Sequence, residues 1–225
     1  MYRVALIHTV KSVLMTFEDM IKDKIEEVKI VNTLDEFLAT DPAEAGEFTI
    51  DNMNRLFMIL KCAEMAKSDA VVVTCSTLTP AVQKIKDFVK IPVIAIDEAM
   101  IKKAVQIGGK ITIMATADST VGPTKSFLIK EAEKAGKKLE ISVIVCPDAI
   151  KALKAGDKEY HDKLLKNEAL QIKGQDAVVL AQASMAHLEQ DIEKICGCKV
   201  LSSPKHCIEQ LKETLSSIEK QKKGA

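Results

Sequence analysis

Two stretches decide the fold: DAVVVTC at residues 69–75 and DAVVLAQ at residues 176–182. Residue 176 lies 107 positions after residue 69. Each stretch is a short apolar run bounded by polar residues, a pattern typical of a parallel strand that is covered on both faces. The repeat of the pattern predicts that the chain consists of two halves of the same architecture.

The same offset relates other parts of the two halves. VALIHT at residues 4–9 corresponds to ITIMAT at 111–116, although few positions are identical. The constant offset also joins these pairs: Ser12 and Ser119, Val93 and Val200, Ile101 and Ile208. We therefore expect an internal duplication, with two lobes related by pseudo-two-fold symmetry. An active site is expected in the cleft between them, where Cys75 would face Gln182.

Runs rich in Val, Ile and Leu alternate with segments of helical period, which indicates parallel sheets joined by right-handed crossovers. Strands are predicted at 3–8, 28–32, 70–74, 93–96, 111–115, 141–145, 177–181 and 199–202. Helices are predicted near 12–25, 53–67, 80–89, 98–107, 119–136, 158–173, 186–195 and 205–220. The fold class is α/β, with lobes at 1–97 plus 205–225 and at 98–204. Residues 39–50, which contain Pro and Gly, are predicted to be a loop that either covers the cleft or simply connects two elements.

The composition is that of an ordinary soluble globular protein, with 47% hydrophobic and 28% charged residues among 225. Lys and Arg together number 32, as do Asp and Glu, so the chain has no excess of basic residues. Its charge therefore gives no indication of a nucleic-acid or membrane partner. No signal peptide is recognised and no apolar run reaches the roughly 18 residues of a membrane span. Six cysteines are spread through apolar segments. We expect a reduced, cytoplasmic protein.

Polar residues follow four predicted strands, where ligands bind in open parallel sheets. The largely polar segments at these strand ends are His8-Thr9 with Ser12, Thr74-Cys75-Ser76-Thr77, Ala115-Thr116 with Ser119-Thr120, and Gln182-Ala183-Ser184. Hydroxyls and N–H groups at helix starts favour an anion such as a carboxylate. A single Thr-x-x-Ser is equally well explained as a helix cap, so the pairing of two such motifs carries the prediction.

Cys75 is the candidate catalytic thiol. It follows a predicted buried strand and precedes a predicted helix, whose start would favour a thiolate. The alternative is that Cys75 is a small buried hydrophobic residue, as many free cysteines are. For Cys62 and Cys146, packing in the core is the better interpretation.

Three motifs resemble those of the aspartate/glutamate/hydantoin racemase superfamily. DAVVVTCST at 69–77 is similar to its Cys-Asn-Thr signature, with Ser76 where asparagine is usual. IMATADSTV at 113–121 resembles its Ala-Thr-x-x-Thr-Val segment. LAQASM at 180–185 looks like the second cysteine motif, Leu-Gly-Cys-Ala-Gly-Met in the hydantoin racemase branch. The resemblance extends over nearly the whole chain.

The resemblance implies cofactor-free and metal-free chemistry on a small carboxylate substrate. In this superfamily, one thiol removes the proton next to the carboxylate and a second thiol returns a proton on the opposite face. Cys75 matches the first thiol. The positions implied to hold the substrate are Thr9, Ser12, Ser76, Thr77, Thr116, Ser119, Thr120, Ala183 and Ser184. By the same analogy, the protein could form a homodimer.

The second thiol position falls on Gln182, which is not an acid or base at neutral pH. Loss of a general acid or base typically lowers the rate by about 10²–10⁴-fold. Three alternatives remain open. They are a one-thiol isomerase or decarboxylase in which Gln182 and Ser184 donate hydrogen bonds, a racemase in which His8 or His187 is the second acid, and a carboxylate-binding protein without catalysis.

The candidate catalytic residues are Cys75, Gln182 and His8, and each remaining histidine or cysteine has a structural interpretation beside any functional one. His8 could reach the pocket or simply satisfy local groups, while His187 is expected at a helix cap or surface. His161 is expected on an exposed helix face. The segment Cys196-Gly197-Cys198, with His206 and Cys207 nearby, contains zinc-ligand residue types, but its Cys-x-Cys spacing is tighter than usual. We therefore predict no metal site.

Overall fold

The structure, a computed structural model, describes residues 1–223, apart from the side chains of Ser12, Met15 and Lys223. The chain forms two compact units. Unit 1 contains Met1–Ile96 and the segment that starts at Cys207, and unit 2 contains Asp97–His206.

Unit 1 is built on a four-stranded parallel sheet with strand order β2-β1-β3-β4. Its strands are β1 (Tyr2–His8), β2 (Val28–Leu34), β3 (Ala70–Val73) and β4 (Val93–Ala95). Its helices are α1 (Lys11–Lys22), α2 (Phe37–Ala45), α3 (Ile50–Met65) and α4 (Thr79–Ile85). The last helix, α10 (Ser203–Lys223), begins in unit 2 and continues in unit 1.

Unit 2 repeats this arrangement with strand order β6-β5-β7-β8, also all parallel. Its strands are β5 (Lys110–Ala115), β6 (Glu140–Val145), β7 (Ala177–Leu180) and β8 (Lys199–Ser202). Its helices are α5 (Glu98–Ile107), α6 (Asp118–Lys134), α7 (Pro147–Lys154), α8 (Lys158–Ala169) and α9 (Glu189–Cys196). The prediction of two similar α/β lobes with parallel sheets is confirmed.

The strand registers agree between the units. Val4 of β1 pairs with Ala70 of β3, and Ile111 of β5 pairs with Ala177 of β7. Both members of the second pair lie 107 positions after their counterparts, so the offset in the sequence is also an offset in hydrogen-bond register.

Successive side chains of a strand point to opposite faces of the sheet, so unit 1 has two hydrophobic cores, one on each face. Val71 and Val73 pack with Leu56 and Leu60 of α3 on one face. Val72 packs on the other face, in a cluster that includes residues of α1 and α10. Because β3 is buried throughout, its sequence is apolar at every position rather than at alternate ones.

The segment 39–50 is not a loop, and that prediction is wrong. Helix α2 covers most of it and ends at Ala45. The C-cap residue Gly46 has φ +75° and donates its N–H to the carbonyl of Pro42. Helix α3 then begins with a capping box between Thr49 and Asn52. The buried Leu38 anchors α2 in the core, so tertiary packing outweighs the helix-breaking tendency of the internal proline.

None of the helices within residues 1–223 is both long enough and apolar enough to cross a membrane.

Candidate active site

Cys75 directly follows β3, at the carboxyl end of the strand. Its backbone is extended, and it is succeeded by a 3-10 turn at Ser76–Leu78, whose last N–H donates to the Cys75 carbonyl over 3.1 Å. The side chain is half-buried, and its Sγ lies 3.0 Å from Oγ1 of Thr77. The thiol is thus held by a rigid strand, remains partly accessible, and has a hydroxyl that can donate to the sulfur when it is negatively charged.

The helix after this turn differs from the predicted one. Helix α4 has seven residues and ends at Ile85, after which Lys86–Phe88 form another 3-10 turn. Thr79 is buried and is itself the first residue of α4. The 3-10 turn separates Cys75 from α4, and the Thr77 hydroxyl within that turn is hydrogen-bonded to the Cys75 sulfur.

His8 ends β1 and is fully buried, with both ring nitrogens hydrogen-bonded. Its Nε2 lies 3.0 Å from Oδ1 of Asn32, and its Nδ1 lies 2.8 Å from Oγ1 of Thr74. The amide nitrogen of Asn32 donates to Glu18, so Oδ1 faces the ring and Nε2 carries the proton. Burial lowers the pKa of His8, although Asn32 and Glu18 oppose this shift, so the imidazole is neutral at pH 7.

Asn32 and Glu18 were not anticipated from the sequence. The pKa of Glu18 is lowered by its hydrogen bonds from Lys22 and Asn32, so the carboxylate remains charged. The signal that could have revealed Asn32 is its polarity within β2, an edge strand that lies beside the strand ending at His8. These residues hold the His8 ring in place. Both ring nitrogens of His8 are hydrogen-bonded within the protein, so neither is available to bind a substrate.

Thr9 has a buried hydroxyl with no partner. The residue is 4% exposed, and its Oγ1 is hydrogen-bonded to no other group within the described part of the chain. A buried hydroxyl without a partner is destabilising, typically by about 1–3 kcal/mol. The side chain of Ser12 lies outside the described residues, so its predicted role stays a prediction.

The corresponding hydroxyl of unit 2 has a partner. Thr116, fully buried, donates its Oγ1–H to Oε1 of Gln182 over 2.9 Å, and its backbone N–H donates to the same oxygen over 2.6 Å. Because a backbone N–H can only donate, the carbonyl end of the Gln182 amide must face Thr116. The Nε2 donor end therefore points the other way.

The other predicted substrate contacts of unit 2 differ in availability. Ser119 and Ser184 are exposed, and Ala183 is half-buried at the start of the 3-10 helix Ala183–Leu188. Thr120 is buried and donates its hydroxyl hydrogen to the carbonyl of Ala117, the N-cap of α6. The Thr120 hydroxyl therefore already donates a hydrogen bond within the first turn of α6.

Two predictions about single residues are wrong. His161 is not exposed: it is fully buried in α8, where its Nδ1 lies 2.7 Å from Oδ1 of Asp162. The other oxygen of Asp162 lies 2.8 Å from Nε2 of His187, which is exposed as expected. Cys62 is exposed on α3 rather than packed in the core. Cys146 is buried, as predicted.

The structure brings together two pairs of the predicted site residues: Cys75 with Thr77 in unit 1, and Thr116 with Gln182 in unit 2. The asymmetry between the units is chemical. In unit 2 the amide oxygen of Gln182 accepts hydrogen bonds from both donors of Thr116. In unit 1 the position equivalent to Gln182 holds a thiol, and the Thr9 hydroxyl has no acceptor among the described residues.

Residues 9–211 match the family model described as Asp/Glu/Hydantoin racemase. The chain belongs to the Asp/Glu/hydantoin racemase family. The resemblance found in the sequence motifs is thereby confirmed, and family membership makes the protein a racemase-like enzyme. Among curated proteins, none matches the sequence at a significant level.

Solved structures of the racemase family share the fold. The glutamate racemase of Bacillus anthracis is 18% identical, with a TM-score of 0.73, 96% of this chain and 82% of that chain covered. The allantoin racemase of Klebsiella pneumoniae is 16% identical, with a TM-score of 0.69 and coverage of 96% and 88%. The aspartate racemase of Picrophilus torridus is 16% identical, with a TM-score of 0.67 and coverage of 95% and 94%.

Proposed function

We propose that this racemase-family protein is a one-thiol enzyme that acts at the carbon next to a carboxylate, with Cys75 as its acid–base group. The observation that carries the proposal is the difference between the two strand ends. Cys75 is a partly accessible thiol beside the Thr77 hydroxyl, while the equivalent Gln182 is fixed by Thr116 as a neutral amide.

The carboxylate of the substrate is proposed to accept a hydrogen bond from Thr9. The buried hydroxyl of Thr9 has no partner in the described part of the chain, and an incoming carboxylate oxygen would satisfy it. Ser76 and Thr77 lie half-buried in the turn beside Cys75 and are proposed as further donors. Ser12, Ser119 and Ser184 remain proposed contacts from the family resemblance.

Cys75 as a thiolate would remove the proton from the α carbon, and the electron pair would spread into the carboxylate. The same sulfur would then return a proton from its own face, because Gln182 has no proton to deliver to the other face. The amide nitrogen of Gln182, whose orientation is fixed by Thr116, would donate to an enolate-like oxygen. The expected net result is hydrogen exchange at the α carbon with retained configuration. The reaction needs no cofactor or metal.

The proposal is tested by incubating the protein in deuterated water with glutamate or aspartate, the amino acids after which two of the similar racemases are named. Deuterium incorporation is followed by proton NMR, and configuration by chiral chromatography. Incorporation is expected to disappear in Cys75→Ala and to persist in Cys62→Ala, the matched control at an exposed thiol. Equal activity of both variants would refute the assignment of Cys75.

A one-thiol decarboxylase is the second candidate, favoured by the same fixed orientation of Gln182. An amide donor aimed at an enolate would stabilise the product of carbon dioxide loss from a dicarboxylate. Release of carbon dioxide from malonate-type acids, dependent on Cys75, would distinguish this reaction from simple exchange.

A racemase that uses His8 or His187 as second acid has less support. Both His8 nitrogens are engaged in a buried network, and His187 bonds Asp162. A carboxylate-binding protein would show protection of Cys75 from iodoacetamide by a dicarboxylate, but no exchange and no turnover. A cytoplasmic location, the internal duplication and a homodimer remain proposals of the family resemblance and the sequence.

A further inference from the structure

The Cys-Gly-Cys segment is formed where α9 ends. Cys196 is the last residue of α9, and Gly197 follows with φ +71° and donates its N–H to the carbonyl of Glu193 over 3.0 Å. Cys198 then leads into β8. The left-handed glycine reverses the chain so that the two side chains lie side by side.

The two sulfurs are in contact. Sγ of Cys196 lies 3.4 Å from Sγ of Cys198, and both residues are half-buried. A disulfide bond is about 2.05 Å long, so closure requires an approach of roughly 1.4 Å. The intervening glycine has no side chain to restrict that motion.

Within unit 2, the pair lies away from Gln182, the candidate active-site residue of that unit. Cys198 precedes the amino end of β8, while Gln182 follows the carboxyl end of the neighbouring parallel strand β7. The cysteine pair and Gln182 therefore lie at opposite ends of the parallel strands of unit 2. A role for the thiols need not involve the catalytic chemistry.

The pair does not belong to a larger metal-ligand cluster. Across the described residues, no group of three or more His, Cys, Asp or Glu side chains is arranged to hold a metal ion. Two adjacent thiols without further ligands are suited to two-electron oxidation, because each can supply one sulfur of a disulfide.

We propose that Cys196 and Cys198 form a redox-active dithiol that closes to an intramolecular disulfide on reaction with a small disulfide such as oxidised glutathione. The sulfur of Cys196, as thiolate, attacks one sulfur of the oxidant and releases one reduced glutathione. Cys198 then loses its proton, attacks the Cys196 sulfur and releases the second glutathione. The two cysteines are oxidised and one oxidised glutathione is reduced to two thiols.

The order of attack follows from the environment of Cys198. Burial, followed by the hydrogen bond and charge of Cys196, raises the pKa of Cys198 to about 12, and Glu193 and Asp176 act in the same direction. Cys198 therefore keeps its proton while Cys196 reacts. In the mixed disulfide the hydrogen bond and charge of Cys196 are gone, but burial still raises the pKa of Cys198. Only the thiolate attacks, so the closure step should accelerate as the pH increases from 7 to 9.

The test uses full-length protein carrying Cys62→Ser, which removes the exposed competing thiol. After incubation with oxidised glutathione, mass spectrometry of the peptide containing residues 196–198 should show loss of two hydrogen atoms. The variant Cys198→Ser should stop at a glutathione adduct on Cys196. Glutathione adducts without an internal disulfide in the parent protein, or no reaction at either thiol, would overturn the proposal.

Phenylarsine oxide supplies a second measurement, because trivalent arsenic binds a pair of adjacent thiols. One equivalent should bind to the reduced Cys62→Ser protein and be displaced by a dithiol but not by a monothiol. Binding should be lost in Cys196→Ser and in Cys198→Ser, each checked for retained folding by circular dichroism. Unchanged binding in both variants would contradict the assignment of the pair.

Discussion

Replacing Thr9 and Thr116 with valine should change the stability of the protein in opposite directions. The two threonines are matched: each directly follows a central strand, both are almost completely buried, and they are related by the 107-residue offset. Valine has the same shape as threonine without the hydroxyl. The two threonines differ in their hydrogen-bond partners. The hydroxyl of Thr116 donates to Gln182, whereas the hydroxyl of Thr9 has no hydrogen-bond partner among the described residues.

In Thr116→Val, one hydrogen bond to Gln182 is lost while the backbone N–H bond stays, so the protein should lose about 1 kcal/mol of stability. In Thr9→Val, a buried hydroxyl without a partner is removed, and stability should increase by about 1 kcal/mol. For a chain of this size these changes correspond to shifts of about 2–4 °C in Tm, downward for Thr116→Val and upward for Thr9→Val.

The same Thr9→Val variant should bind a carboxylate more weakly. A hydrogen bond to a charged acceptor contributes about 1.5–3 kcal/mol, so the Kd of the bound dicarboxylate should increase roughly 10–100-fold. Differential scanning calorimetry without ligand and isothermal titration calorimetry with it measure the two effects. A Thr9→Val protein that is less stable than wild type, with unchanged affinity, would refute the assignment of this hydroxyl to the substrate.

Three further outcomes are expected. First, a dicarboxylate should slow iodoacetamide alkylation of Cys75 at pH 7 and leave the exposed Cys62 unaffected; equal slowing of both would indicate a non-specific effect. Second, Gln182→Cys should supply a thiol for the other face and raise racemisation relative to deuterium exchange in the NMR and chiral assays, whereas exchange that still retains configuration would show that this position does not reach the substrate. Third, burial raises the pKa of Asp162 but the hydrogen bonds from its two histidines outweigh it, so the pKa lies below the usual 3.8. The carboxylate therefore stabilises the fold above about pH 4 and loses that contribution as the pH falls through its lowered pKa. Asp162→Asn should reduce Tm at pH 7, with a difference that shrinks below pH 4 in thermal scans; a constant difference across that range would contradict the prediction.

The sheets could be predicted from the sequence because their signal is local. The four consecutive apolar residues of β3 and of β7 are buried on both faces, and the 107-residue offset carries over into strand order and register. Period and spacing are properties of the sequence itself. They needed no knowledge of what packs against the strands.

The wrong predictions concern elements whose state depends on tertiary contacts. Helix α2 contains Pro42 and a following glycine, and it forms because Leu38 enters the core. His161 is polar, but it shares a helical stripe with the buried Leu165 and Ala169, four and eight residues further on. That periodicity was visible in the sequence and should have outweighed the polarity of the imidazole.

The candidate site was predictable in its residue types and not in its hydrogen bonds. The positions of Cys75 and Gln182 at strand ends follow from the pattern of the strands. Gln182 accepts a hydrogen bond from Thr116, whereas the Thr9 hydroxyl has no partner among the described residues. This difference depends on the orientation of individual side chains, which no sequence pattern specifies.

The most direct measurement is the ratio of deuterium incorporation to inversion at the α carbon of a turned-over substrate, obtained from one sample of the wild-type protein. A single thiol acting on one face predicts that incorporation far exceeds inversion and that both require Cys75. Inversion as fast as incorporation would mean that a second acid serves the opposite face, and the assignment of Gln182 as a neutral donor would be wrong.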